Sequence, residues 1–256
     1  MLERLGLHRF AYDYRAEHVP TWDAELEALK RHHIELTAWW FPTTLNGEAK
    51  QALELFKRQG VKPQLWVMGG GAPTKDAADQ AARVDSEAAR IRTIAEAAAP
   101  LGLKVGLYNH GGWFGVPENQ IAIVEKLHRD GIQNVGIVYN FHHGHGEIDR
   151  FAELFPKMTP YLLALNLNGM TRDGDKKGRG TIVIGTGEFD APMLAVVRKS
   201  GWRGPVGIIN ETSEDAEVRL RANLEGLEKL VAQLRFDEAP STEPIKILEA
   251  GAQSPR

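Results

Sequence analysis

The sequence predicts a parallel α/β barrel of about seven strand–helix units. Three observations carry that prediction. A short β-rich apolar run, a polar loop and an amphipathic helical stretch recur roughly every 30–40 residues, in strict alternation. The strand candidates are apolar almost throughout, as strands covered on both faces are. The length, 256 residues, is long for one ordinary domain but suits a single barrel.

The strands are predicted at 8–14 (HRFAYDY), 35–41 (ELTAWWF), 63–69 (PQLWVMG), 104–110 (KVGLYNH), 135–141 (VGIVYNF), 162–168 (LLALNLN) and 206–211 (VGIINE). A weaker run at 181–185 (TIVIG) reads as part of a loop. Helices fill the intervals. The first follows Thr21, a good N-cap, with Ala24, Leu26 and Leu29 on one side. The second ends in Gly60 and the fourth in Gly131, typical C-terminal stops, and Pro117 opens the fourth. The long third helix is alanine-rich and stops at Pro100; stretches 147–158, 189–201 and 213–234 complete the set. Residues 1–234 thus form one domain, and the polar, aperiodic stretch 235–256 is expected to be a loose tail. The chain opens on what reads as the end of a helix, so a preceding element is expected to be missing and the natural N-terminus with it.

Composition narrows the function classes. The chain is 43% hydrophobic and 25% charged with a net charge of −3, an ordinary balance for a globular protein with no basic excess to favour a nucleic acid. It has no cysteine, which removes disulfides, thiolate metal sites and cysteine nucleophiles. Neither a membrane span nor a signal peptide is predicted, and cytoplasmic is the default expectation. No strand leads into a Gly-x-Gly-x-x-Gly loop, and the glycine-rich 68–77 lacks the Gly-Lys-Ser/Thr ending of a phosphate loop.

In a parallel barrel, chemistry gathers where strand C-termini meet their loops. Here those ends are polar: Asp13; Tyr108, Asn109 and His110; Asn140 and His143; Asn166 and Asn168; Asn210 and Glu211. Trp39, Trp40 and Trp66 end the second and third strands. Amides offer both a donor and an acceptor to a hydroxyl, and indole faces cover the apolar side of a sugar ring. A small carbohydrate is the expected ligand, with Trp39 and Trp66 as its aromatic contacts. Only one of Trp39 and Trp40 can point inward, because side chains alternate along a strand.

The stretches GLKVGLYNHGGW, NVGIVYNFHHGH and GTGEFDAPMLAVVRKSGWRGPVGII resemble the xylose-isomerase-like TIM barrels: sugar isomerases and epimerases, sugar-phosphate isomerases, inosose dehydratases and the endonuclease IV group. The resemblance runs from about residue 8 to 232, and the last stretch is its most specific part. It implies a TIM-type (β/α) barrel of eight strands, of which the first is absent here. The exposed flank leaves room for a partner subunit, so a homo-oligomer stays open, or for the tail. The family holds a divalent metal with Glu, Asp, His and Glu. Carried over, these fall on Tyr108 or Asn109, on Asn140 with His143 retained, on Asn166, and on Asn210 or Glu211. Neutral amides in those places oppose a hard cation, so no metal ligand is assigned. A divalent ion (Mn, Mg, Co or Zn) stays open through one Glu and one or two His.

The resulting expectation is an isomerase, epimerase or lyase that moves protons on a keto sugar or related polyol, such as a 3-keto sugar. His143 and Glu211 are its acid/base pair, and His110 or Asn168 steadies the enolate oxygen. Asp13, Trp39, Trp66, Tyr108, Asn109, Asn140, Asn166, Asn168 and Asn210 are expected to touch substrate. The alternatives are a non-catalytic sugar-binding barrel and a metal-dependent hydrolase; the amides and the negative charge oppose the second. The charged loop 171–181 reads as solvated surface, with a flap presenting Arg172 or Lys176 to an anion as its alternative.

Overall fold

The computed structural model describes residues 1–210 and 213–237, with side chains as far as Arg235. Seven strands run in chain order: β1 Arg9–Tyr12, β2 Glu35–Phe41, β3 Gln64–Val67, β4 Val105–Tyr108, β5 Val135–Asn140, β6 Leu162–Leu167 and β7 Val206–Ile208. Each pairs in parallel with the next. All seven predicted strands are present, each within its predicted bounds. The run 181–185 is loop, held by one antiparallel bridge between Gly169 and Ile182.

Between the strands lie α1 Trp22–Arg31, α2 Gly47–Gln59, α3 Ala77–Ala98, α4 Gly112–Gly115, α5 Pro117–Arg129, α6 Phe151–Met158 and α7 Asp190–Lys199, and α8 Ala216–Asp237 closes the order. Local chemistry sets their ends. Asn46 and Asp76 cap α2 and α3 by accepting from the N–H groups of Ala49 and Asp79. Gly60 stops α2 in the left-handed conformation, φ 67°. The short α4 has no sequence signal beyond Gly111 and Gly112, both at positive φ. The last helix reaches Asp237 rather than 234, and the predicted tail at 238–256 lies outside the described residues.

The sheet curls into a nearly closed barrel. Among the described residues β1 and β7 do not pair, yet Arg4, just before β1, forms an ion pair with Glu217 of α8. The main core lies between strands and helices, where Trp39, Leu65, Val105, Leu107, Ile137 and Leu165 meet Phe56, Ile91, Ile94, Ile123 and Leu127. A second cluster fills the lumen: Ala38, Trp66, Tyr108, Val138 and Ala164, with Ala11, Trp40, Met68 and Leu163 against it. The lumen is tight. A Cβ on Gly106 would stand 2.5 Å from Val138 and 3.3 Å from Trp66; glycine there makes room for the indole.

Two bulges decide which residues face inward. In β2, Phe10 pairs with Leu36 but Ala11 with Ala38, so Thr37 is an extra residue. In β6, Ile137 pairs with Leu162 but Val138 with Ala164, so Leu163 is extra. Each extra residue shifts the alternation by one. Leu36 and Trp39 therefore share the outer face, and Trp40 turns into the lumen. By the same shift Leu165 and Leu167 join the outer core while Asn166 faces inward.

Candidate functional site

The upper lumen is a ladder of aromatic rings. Trp66 lies 4.6 Å from Trp40, edge to face, and 5.8 Å from Tyr108, nearly parallel. Trp40 meets Tyr108 at 5.6 Å. Above them the His143 ring sits 5.8 Å from Tyr108 and 4.6 Å from His110, which is exposed at the rim. Trp66 and Tyr108 are buried and Trp40 is half-buried. The expected Trp39 is corrected here: it is fully buried on the outer face, stacked on Tyr12 at 4.2 Å and edge-on to Trp22 and Phe56. Trp40 takes its place. The missed signal is the bulge at Thr37, which sequence alternation does not reveal.

The turn after β5 carries three histidines, His142, His143 and His145. Asn140 caps it: its Oδ1 accepts from His142 N at 3.1 Å, and its Nδ2 donates to the Tyr108 hydroxyl at 2.5 Å. His142 and His145 then turn toward the loop after β6. The Gly180 carbonyl has His142 Nδ1 at 3.0 Å, His145 Nε2 at 3.0 Å and Asn168 Nδ2 at 2.9 Å. His145 Nδ1 lies 2.9 Å from the Thr171 carbonyl. These two imidazoles pin the loop. His143 alone points to the mouth, with no hydrogen bond among the described residues. Burial, then the neighbouring His142, His110 and His145, push its pKa down to about 3. It is a neutral imidazole in ordinary buffers, with a lone pair free to accept a proton.

The loop after β6 is firmly held. The buried Asp190 carboxylate accepts from the backbone N–H groups of Met170, Gly185 and Gly187. Burial raises its pKa while those three donors oppose the shift. A Cβ on Gly187 would stand 2.3 Å from Met170, which explains the glycines of the GTGEFD stretch. Arg219 of α8 donates to the Thr181 carbonyl. Arg172 pairs with Asp149 and covers the Phe189 ring, and Lys176 pairs with Asp173. Arg172 and Lys176 thus make surface pairs, in keeping with a solvated loop.

The other expected residues divide. Asn166 is buried on the lumen face, and its Nδ2 has no partner among the described residues. Asn168 is buried with Nδ2 on Gly169 O and Gly180 O, while its Oδ1 is unpartnered. Asn109 is corrected from ligand contact to scaffold: Oδ1 accepts from Asn140 N at 2.7 Å and Nδ2 donates to Asn140 O at 3.1 Å, extending the β4–β5 ladder by one rung. Asp13 is exposed and paired with Arg15 at 2.6 Å, away from the lumen. Asn210 donates to Ala216 O at 3.0 Å and so ties β7 to α8. Glu211 lies outside the described residues.

These donors do not fit the metal of the resembling family. Asn109 spends both amide atoms on backbone, Asn140 spends its amide on Tyr108 and His142, and Asn166 turns an N–H donor to the lumen. Among the described residues no three His, Asp or Glu side chains are grouped to hold an ion. A hard dication favours carboxylates, and the described residues at these positions offer neutral amides and a phenol instead.

A nearly closed ring of parallel strand–helix units with a polar mouth defines a TIM-type α/β barrel. The profile of the xylose isomerase-like TIM barrels matches residues 11–231, and the chain belongs to that family. Solved structures share the fold. IolI protein with a bound zinc atom superposes with a TM-score of 0.70 at 18% identity, covering 91% of each chain. A 3-keto-D-glucoside 4-epimerase, YcjR from E. coli, gives 0.64 at 16% identity over 90% of this chain and 91% of that one. A D-tagatose 3-epimerase-like protein gives 0.65 at 18% identity, over 89% and 91%. No curated protein sequence matches the chain. No described helix is long and apolar enough to cross a membrane.

Proposed function

We propose that this barrel is a carbohydrate-active isomerase, epimerase or lyase that works by proton transfer on a keto sugar or related polyol. The observation that carries the reading is His143: a neutral imidazole with no hydrogen bond among the described residues, above an aromatic lumen and 4.6 Å from the His110 ring. Sugar epimerases among the solved structures of the same fold support the substrate class.

A carbonyl acidifies its neighbouring C–H, and His143 accepts that proton. Its low proton affinity makes it a weak base in the free protein. The negative charge growing on the enolate oxygen raises that affinity as the proton moves, because the lumen is poorly solvated. His110, at the rim, donates to that oxygen. Asn168 fits this role less well, since its N–H groups already serve Gly169 and Gly180. A protonated Glu211 gives the product its new proton, while His143 passes the abstracted one to solvent. Trp40 and Trp66 cover the apolar side of the ring.

The experiment is solvent-deuterium exchange into a panel of keto sugars, run with and without added Mn²⁺, Mg²⁺, Co²⁺ and Zn²⁺. Exchange that disappears in His143→Ala supports the reading. Absence of exchange across the panel, with or without metal, overturns it.

A second reading is a sugar-binding barrel without turnover. The tight filling of the lumen by Trp40, Trp66 and Tyr108 favours it. It predicts measurable sugar affinity, no exchange, and no effect of His143→Ala beyond binding.

A further inference from the structure

We propose that His145 is a positioning residue, a buried imidazolium that clamps both ends of the loop 171–181, so that docking of this loop beside the barrel mouth takes up one proton from solvent. The inference goes beyond the reading of the barrel as a sugar enzyme and stands without it.

The His145 ring is buried, at 4% exposure. Its Nδ1 lies 2.9 Å from the Thr171 carbonyl and its Nε2 3.0 Å from the Gly180 carbonyl, near the two ends of the loop. A carbonyl oxygen only accepts, and a neutral imidazole carries one N–H. Either neutral tautomer therefore sets a lone pair against one of the two oxygens. Only the doubly protonated ring donates to both. The loop is also shaped around the ring. A Cβ on Gly174 would stand 2.6 Å from His145 Cε1 and 2.8 Å from Nδ1. Gly174 is not among the residues at positive φ, so the ring rather than the backbone requires glycine there.

A buried cation needs hydrogen bonds and a compensating charge. The two carbonyls supply the first as charge-assisted bonds. The buried Asp190 carboxylate, at the start of α7, supplies the second: burial raises its pKa, and after its three backbone donors the charge of His145 opposes that shift. The other charged groups nearby are already paired or exposed. Glu147, on the same turn, pairs with Arg150, and Asp173 in the loop pairs with Lys176 and Lys177. Arg172 pairs with Asp149, and Glu188 accepts from the Arg172 N–H. Arg219 of α8 donates to the Thr181 carbonyl, and Asp175 and Arg179 are exposed. Carboxylates, amines and guanidiniums on a surface keep their charge between about pH 6 and 8.5, so histidines are the groups that change there. His143 stays neutral throughout that range, mainly through burial.

Because docking takes up a proton, it strengthens as pH falls and weakens as pH rises. The docked loop carries the Gly180 carbonyl that His142 Nδ1 and Asn168 Nδ2 share, and the His142 ring lies 4.4 Å from that of His143. The clamp thus fixes the immediate neighbours of the free imidazole at the mouth.

The test uses the intact chain labelled with ¹⁵N-histidine. Nitrogen spectra count the ring protons of His145, whose signals are assigned through the contact of its ring with Gly174. Trypsin reads docking on the same samples, since the loop offers Arg172, Lys176, Lys177 and Arg179; its rate is divided by that on a free peptide of the loop sequence at each pH. His145 is expected to carry protons on both ring nitrogens at about pH 6. Relative cleavage is expected to rise at least about tenfold toward pH 8.5, in step with loss of the second ring proton. His142→Gln should keep that rise, whereas His145→Gln should be cut rapidly at every pH. A single ring proton on His145 while the loop is protected overturns the proposal. So does a flat cleavage profile in the wild type, or a rise that survives in His145→Gln. Should His145→Gln fail to fold, the wild-type spectrum and cleavage profile decide.

Discussion

On one side of the barrel, β4, β5 and β6 deliver Tyr108, Asn140, His143 and Asn166 to the lumen and its mouth. On the other, β1 turns Asp13 to solvent, β2 turns Trp39 to the helices, and β7 leads into Asn210, tied to the first turn of α8. All these residues end strands of one parallel sheet. Polar character at a strand end is therefore no guarantee of a place in the site. Register decides: the β6 bulge turns Asn166 inward, and the β2 bulge turns Trp39 outward. The seven strands also leave β1 and β7 without a common partner among the described residues, so those strand ends lack the neighbour that a closed ring supplies.

The contrast can be broken at several points. The largest effect is expected at His143, where replacement by alanine should lower the deuterium-exchange rate on the best keto sugar about 10²- to 10⁴-fold. His142→Ala is expected to cost far less than His143→Ala, since its Nδ1 lies 3.0 Å from the Gly180 carbonyl and so serves the loop after β6. Equal losses in the two variants would erase the distinction drawn within the turn.

Next comes the tryptophan pair. Trp39→Ala empties a fully buried site and should cost roughly 3–5 kcal/mol in denaturant unfolding. Trp40→Ala, half-buried in the lumen, should cost less stability and more sugar affinity. The opposite ranking would mean that the bulge at Thr37 is misplaced. Asn109→Ala leaves the Asn140 backbone unpaired in the interior and should cost about 1–3 kcal/mol.

The pH dependence of stability offers a finer probe. Folding depresses the pKa of His143 from an ordinary value of 6.5 to about 3. The unfolded chain therefore binds the extra proton first. This contribution to stability is complete above pH 6.5 and is lost as pH falls toward 3. Replacing His143 with Asn should flatten the fall in unfolding free energy between pH 6.5 and 4; an unchanged slope would show that its ring is not buried. The smallest effect belongs to Asp13. Its pairing with Arg15 is exposed, and Asp13→Ala should change stability by no more than about 0.5 kcal/mol and leave sugar binding alone.

Much of the fold is legible in the sequence because its signals are local. Apolar runs of strand length and glycine stops each act within a few residues, so all seven strands and the main helices could be placed; Thr21 precedes α1 as expected but makes no side-chain capping bond. The tetrapeptide helix Gly112–Gly115 could not, because it depends on Gly70 and Gly71 carbonyls that accept from Phe114 and Trp113 across the mouth. The candidate site was half legible. His143, Tyr108, Asn140, Asn166 and Asn168 do gather. Asn109 does not act as expected because a side-chain amide can stand in for a missing backbone rung, a use with no signature in composition. Trp40 was visible as one of a pair, but nothing local chooses between the two.

By itself the sequence determined the order of strands and helices, the polarity of the strand ends and the absence of thiol chemistry. Alternating hydrophobicity and turn residues act over short stretches of chain and need no partner to be read. Only the tertiary structure decided that Trp40 rather than Trp39 enters the lumen, that His142 and His145 hold a loop while His143 makes no hydrogen bond among the described residues, and that Asn109 serves the backbone of Asn140. Each of these depends on which residue of a neighbouring strand or loop lies opposite, a matter of register and packing set by contacts far apart in the chain.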